Sequence, residues 1–392
     1  MTAGPTGWAS SGAMSLTGDP TGPPLAPAGD LTGFLDELAG ELLGLTGVTL
    51  DAPALLGERA ALRRLRRGGR WSCGGKTRLV RCADGWAAIA LVRPEDEVAV
   101  APLLGHEIAG PVWDAVEAGF AVRSVEELAE RAVLLSVPFG VVPAVPAYGA
   151  AAPADGADPG STSRVGAPGA PRALSGVTVA DLSSLWAGPL CTGLLAAGGA
   201  TVTKVESRSR PDGARRASRR FWRLLNGDKA EQLVDPGQLR DHVEAADVVV
   251  LAARRRAYEQ LGIDVDGLLR SRSDKVIVAI TGHGWDDGRV GFGDDAAVAG
   301  GLVARHPVDG EPRFLADAVA DPVTGLQAAV AAARSVVEGG RWFVDISLAG
   351  VSAGLAARAR TDLPALAATA AGRGWVLDGE RVRPPRARSS PV

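Results

Sequence analysis

The sequence predicts an α/β protein, a Rossmann-like parallel-sheet domain preceded by a smaller α+β domain. Three observations predict it. From about residue 173 onward, the apolar runs VTVADL, ATVTKVE, DVVVLA, KVIVAIT and WFVDISL alternate with helical patterns. Near-continuously apolar strands separated by helices mark a parallel sheet covered on both faces. Residues 31–148 mix helices with a hairpin, and two stretches rich in Gly, Pro, Ser and Thr, residues 1–30 and 149–172, lack apolar periodicity. The latter read as a disordered tail and a linker.

Composition sets the outer limits. A chain of 392 residues with 46% hydrophobic and 22% charged residues has room for two or three domains and a substantial core. A net charge of -3 gives no electrostatic reason to expect nucleic acid or an anionic membrane as partner. Cys73, Cys82 and Cys191 are too scattered for a disulfide framework, and no paired Cys/His spacing suggests a metal. The opening MTAGPTGWASSGAMSL has neither the basic region nor the apolar core of a signal peptide, and no apolar run reaches bilayer length. The expected location is cytoplasmic. No internal repeat stands out.

In residues 31–148 the pattern LTGFLDELAGELLGL predicts a helix, followed by a basic helix through ALRRLRRGGR. TRLVRCADG and WAAIALV form a hairpin around an Asp-Gly turn. SVEELAERAVLL opens with a capping box at Ser124 and Glu127. In residues 173–392, helices are predicted at GPLCTGLLAAG, DPGQLRDHVEAA, AYEQLGI and VTGLQAAVAAARSVVEG. Ligands on such sheets lie at the carboxyl ends of the strands.

Three features there could carry chemistry. The turn DLSSLWAGP lacks the glycine fingerprint of a dinucleotide site, being filled by Ser183, Ser184 and Trp186. Gly188 and Pro189 begin a helix, and Trp186 is either a flat face for a base or acyl chain or a plug at the sheet edge. Basic residues, including Lys204, Arg208, Arg215, Arg216, Arg219, Arg220 and Lys229, follow the second strand, and Arg254, Arg255 and Arg256 follow DVVVLAA. They are either a solvated face or, by their repeated position at strand ends, holders of phosphates.

The third feature is Asp321, before Pro322 and a long apolar helix, the arrangement of an N-cap aspartate. A helix N-terminus also keeps a carboxylate ionised and directed, and such a carboxylate can attack a thioester. Asp317 is a weaker candidate for the same role. Asp294 and Asp295 read as caps of the next helix, and among the histidines only His283 sits after a strand where a site could lie.

The segments DLSSLWAGPLCTGLLAAGGATVTKVE, RPDGAR, FWRLLNGDK, AADVVVLAARRRAYEQLGI, AITGHG and ADPVTG, in this order, resemble the class III CoA-transferases of the CaiB/BaiF family. The resemblance implies a CoA-binding Rossmann-like domain in which Asp321 is the catalytic carboxylate. It places Ser184, Trp186 and Ala187 along the nucleotide or pantetheine, Arg208 and Lys229 on phosphates, and Ala252, Ala253 and Arg254 against the cofactor. It further implies coenzyme A or acyl-CoA and carboxylic acids as partners, a homodimer, and CoA transfer through an aspartyl anhydride. Alternatives on the same fold are an acyl-CoA racemase or isomerase, and a non-catalytic acyl-CoA-binding protein.

Three departures from the family pattern stand out. Alanine replaces the asparagine after ADVVV, Gln260 stands where some transferases carry arginine, and no histidine matches the racemase position near DDAAVAGGL. The stretches resembling the family's small domain also precede the CoA-binding domain instead of following it.

Overall fold

The computed structural model describes residues 4–144, 161–165, 169–208 and 210–388. Residues 149–160 and 166–168 of the expected linker, and 1–3 of the expected tail, lie outside them. The central sheet contains β1 (Ser161–Arg164), β2 (Thr178–Leu182), β3 (Thr201–Ser207), β4 (Ala230–Val234), β5 (Val248–Leu251), β6 (Val276–Thr281) and β7 (Trp342–Ser347). Their order is β1-β7-β6-β5-β2-β3-β4, with every strand parallel except the edge strand β1. Val248–Leu251 and Val276–Thr281 are buried along their whole length, which is why their β-branched runs carry no alternation.

The chain lays β3 and β4 outward from β2 and then returns to place β5 on the other side of β2. Val179 pairs with Val248 and Leu182 with Leu251. The two turns that leave these strands, Ser183–Trp186 and Ala252–Arg254, diverge at the point where strand order reverses. That is where an open α/β sheet forms its crevice.

Residues 4–30 are not the disordered tail that their composition predicts. Helix α1 (Pro5–Ser11) and a short strand, Leu25–Ala26, which pairs with Leu366–Ala367, fold this segment onto the main domain. Trp8, Met14, Leu16 and Leu25 are all buried. A few large apolar side chains outweigh a Gly/Pro-rich average, because burying each contributes roughly 1.5–3 kcal/mol.

Helices α2 (Leu31–Thr46) and α3 (Glu58–Arg63) also leave the small domain to which their position assigned them. Leu31, Phe34, Leu35, Leu38 and Leu42 join the main core, and α2 packs along the long helix that follows Asp321. The small unit is therefore narrower than expected. It consists of Thr77–Arg81, Trp86–Ala90 and Phe139–Val141 in an antiparallel sheet, with helices such as Val112–Ala121 and Val125–Leu135 on it. Ser124 caps the latter by accepting from Glu127 N at 3.2 Å. Leu79, Trp86, Ala88 and Val142 then pack on Val298, Val303 and Phe314 of the larger domain.

On the main domain, α4 (Ala187–Ala197), α5 (Arg219–Asn226), α6 (Gly293–Ala299) and α7 (Ala320–Glu338) surround the crevice side. Trp8→Ala should cost about 3–5 kcal/mol in urea unfolding of the full chain. A change within error would contradict the burial of the N-terminal segment.

Candidate functional site

The turn after β2 is built on a buried carboxylate. Asp181 Oδ1 accepts from Ser183 N at 2.9 Å, and Oδ2 accepts from Thr192 Oγ1 at 2.7 Å and Lys229 Nζ at 3.0 Å. Lys204 Nζ lies 3.8 Å from Asp181 and 3.6 Å from Asp212, and donates to the Ser183 carbonyl. Burial alone would raise the Asp181 carboxyl, but Lys204 and Lys229 outweigh it and hold it below the usual carboxylate range. Asp212 Oδ1 in turn accepts from Leu185 N at 3.0 Å. Leu185 has φ 70, a left-handed conformation that costs a side-chain-bearing residue about 1–3 kcal/mol and is held by that bond.

The turn delivers Trp186 to the wall of a cavity of about 170 Å³ that also contains Asp321. Its other walls include Arg59, Lys76, Phe221, Phe292, Gly293 and Asp294. Trp186 meets Phe221 edge-on at 5.1 Å, and the Arg59 guanidinium lies 5.2 Å from the indole centroid. Arg59 forms a two-armed pair with the fully buried Asp317, Nε to Oδ2 at 2.9 Å and Nη2 to Oδ1 at 2.6 Å.

Asp321 is not the N-cap its setting predicts. Helix α7 begins at Ala320, with Val319 at the cap, so Asp321 is the second helical residue. The preceding loop holds Ala316 and Ala318 at φ 52 and φ 46. Their amides are clamped by Thr17 Oγ1 and Asp294 Oδ1, each at 3.0 Å. Gly293 lets backbone approach the carboxylate, since a Cβ there would stand 2.2 Å from Asp321 Oδ2. Among the described residues no donor is placed on the Asp321 carboxylate.

Burial pushes the Asp321 carboxyl up to about 7; Arg59 opposes the rise, and Asp294 and Asp317 add to it. Asp294 is raised to about 6, again chiefly by burial. Carboxylates this close titrate as a group. The chemistry open to such a site is nucleophilic attack by one carboxylate in an apolar-walled cavity, with a fixed guanidinium balancing its charge.

The other expected site residues divide. Ser184 is exposed at the turn and Ala187 is buried at the start of α4. Trp186 is 1% exposed, so it is a wall of the cavity and not an open stacking face. Lys229 is a correction: its Nζ donates to Asp181, Pro189 O, Thr192 and Asn226 at 2.7–3.0 Å, which uses the ammonium on the protein itself. The amides of Ala252 and Ala253 are likewise taken, by the Tyr258 hydroxyl at 3.0 and 3.2 Å.

Arg208 is exposed, with Asp235 at 3.9 Å. Arg254 lines a separate groove with Arg255 and Arg256, and donates to Ser136 and the Gly288 carbonyl. Asp295 caps α6 as expected, accepting from Phe292 N at 3.0 Å, whereas Asp294 faces the cavity. His283 is outside the cavity, and burial lowers it to about 4. Sequence reasoning missed Arg59, Ser72 and Lys76, which reach the cavity from the N-terminal half. The one local signal was the arginine-rich run that follows Glu58.

Fold and cavity together define an α/β protein with a carboxylate-lined cavity beside its switch point. The chain belongs to the CoA-transferase family III, whose family model matches residues 174–370. It is 30% identical over 186 residues to an acyl-CoA transferase of Fusarium pseudograminearum, covering 39% of each chain. It is 31% identical over 182 residues to a succinyl-CoA:mesaconate CoA-transferase of Haloarcula hispanica, covering 40% of this chain and 46% of that one. The chain thus spans less than half the length of these relatives.

Among solved structures, the hypothetical protein Rv3272 of Mycobacterium tuberculosis is 26% identical with a TM-score of 0.42, over 48% of this chain and 57% of that one. A CAIB/BAIF family protein of Brucella suis is 25% identical with a TM-score of 0.43, over 48% and 56%.

Two outcomes follow from the charges. Lys229→Ala should destabilise by about 3–5 kcal/mol, read by chemical denaturation, since it removes one of the two buried cations that balance Asp181; a change below 1 kcal/mol would contradict the buried network. An acid raised by folding contributes stability that is complete below its unfolded value of 3.8 and is lost as pH rises through about 7. Asp321→Asn should therefore gain stability relative to the parent protein between pH 5 and pH 8, by on the order of a few kcal/mol. A pH-independent difference in Tm would contradict it.

Proposed function

We propose that the chain transfers CoA between an acyl-CoA thioester and a carboxylic acid, with Asp321 as the carrier. The observation that supports this most is the Asp321 carboxylate itself, free of hydrogen-bond donors on the wall of a cavity shared with Trp186 and Arg59.

The ionised carboxylate attacks the thioester carbonyl; a C–O bond forms, the C–S bond breaks, and CoA leaves as thiolate from a mixed anhydride. The thiolate attacks the aspartyl carbonyl, releasing the donor acid and leaving an aspartyl thioester. An acceptor carboxylate then reverses both steps, so the thioester is conserved and Asp321 returns unchanged. Arg59 compensates the negative charge that persists through each step, and Trp186, Phe221 and Phe292 keep water from the anhydride. The names of the two curated relatives agree with this chemistry.

For the nucleotide end of CoA, Arg208 and Arg254 remain available as phosphate ligands. Lys229, Ala252 and Ala253 act through the turns they fix. The cavity is below the roughly 300–1,000 Å³ of a whole-ligand pocket and suits the acyl end alone. The reading carries a homodimer and a cytoplasmic setting from the family resemblance; among the described residues no helix is long and apolar enough to cross a membrane. The racemase alternative gains no support, because His283 supplies no acid/base partner in the cavity.

The full chain incubated with an acyl-CoA and hydroxylamine should acquire a hydroxamate on Asp321, seen by peptide mass spectrometry, and exchange labelled CoA with added carboxylates. Asp321→Ala should lower exchange by at least about 10³-fold. Exchange retained in that variant, or a hydroxamate at another residue, would overturn the proposal.

A further inference from the structure

The cavity that holds Asp321 has a larger neighbour on the same helical stretch. A groove of about 960 Å³ lies between α5, the end of α3 and the C-terminal strand of chain, lined by Arg215, Arg219, Arg220, Arg223, Trp222 and Arg388 among others. Arg219, Arg220 and Arg223 are exposed, and their guanidiniums make no hydrogen bond or ion pair among the described residues. Arg215 is held by Glu206 and Glu231, each at 2.7 Å, and lies 3.8 Å from the Trp222 ring centroid. Arg388 is held by Glu58.

The groove is rich in donors and poor in acceptors. Glu231, the carboxylate among its lining residues, is paired with Arg215, which Glu206 also holds. Beneath its floor, Trp222 Nε1 and Arg388 Nη1 are buried without an acceptor. Two of the three free guanidiniums also stand in the first turn of α5, where the helix dipole makes positive charge unfavourable. Left to itself this arrangement repels itself, and a compact anion relieves it. Guanidinium forks match phosphate oxygens in pairs, and the volume suits a nucleotide-sized ligand.

We infer that this groove binds a polyphosphate-bearing ligand, with Arg219, Arg220 and Arg223 as its phosphate holders. It is distinct from the strand-end positions of Arg208 and Arg254, and it does not depend on the transferase reading. The same helical stretch presents Ala214, Ala217, Ser218 and Phe221 to the Asp321 cavity and Arg215, Arg219 and Trp222 to the groove. Occupancy of one is therefore placed to be felt by the other.

Inorganic triphosphate titrated calorimetrically into the full chain should bind saturably, more weakly as salt rises. Arg219→Glu, Arg220→Glu and Arg223→Glu combined should weaken it by about 30-fold or more, with unchanged circular dichroism. Should that variant misfold, the single variants Arg220→Gln and Arg223→Gln, on exposed positions, should each weaken it by about three- to tenfold. Asp321→Asn should leave it unchanged, which separates this test from that of catalysis. Displacement by CoA would assign the groove to the nucleotide half of the acyl carrier, and displacement by ATP but not CoA to a free nucleotide. No saturable binding at millimolar triphosphate, or binding indifferent to all these substitutions, overturns the inference.

Discussion

One guanidinium sets the terms for the site. Asp294 and Asp321 line a cavity from which water is partly excluded, with Asp317 fully buried beside Arg59, and carboxylates grouped in such a place repel one another severely when ionised. Arg59 is the cation that makes the grouping tolerable. It spends its geometry on Asp317, leaving Asp321 influenced by charge at a distance but not hydrogen-bonded. A carboxylate that is charge-balanced without being capped keeps its lone pairs available, which is what the role proposed for Asp321 requires.

That cation comes from outside the parallel-sheet domain that the sequence marks out. Arg59 rides on α3, whose first residue, Glu58, is buried and paired with Arg388 near the C-terminus. Thr17, from the supposed tail, clamps the strained Ala316, and Cys73 donates its thiol to the Ala316 carbonyl at 3.2 Å. The positive-φ residues Leu185, Ala316 and Ala318 occur in the two loops that shape the cavity. Each has its amide held by a side-chain oxygen from elsewhere in the chain. Strain of this kind persists only where surrounding structure over-determines it, and here the N-terminal segment supplies part of that constraint.

The parallel sheet was legible because Val248–Leu251 and Val276–Thr281 are apolar throughout, a local signal with one reading. That Trp186 and Asp321 belong to one site was an expectation of the family resemblance alone, and both line one cavity. Lys229 was misread because its partner, Asp181, is distant in sequence, and a lysine near a strand end looks the same whether it faces phosphate or a buried acid. Residues 4–30 were misread because averaged composition hides four large buried side chains. Arg59 lacked any motif: its role depends on α2 and α3 packing against the main core, which periodicity cannot show. Asp321 was read as an N-cap, and the backbone differs by two residues because the strained loop before it delivers Val319 to the cap.

The account stands on Asp321 being an unusually weak acid tempered by Arg59. Carbon-13 NMR of the aspartate carboxyls, titrated in the parent protein and in Arg59→Gln, reads this directly. The account predicts an Asp321 midpoint near 7 that moves higher once the guanidinium is gone. A midpoint in the ordinary carboxylate range near 4, unmoved by the substitution, would contradict it.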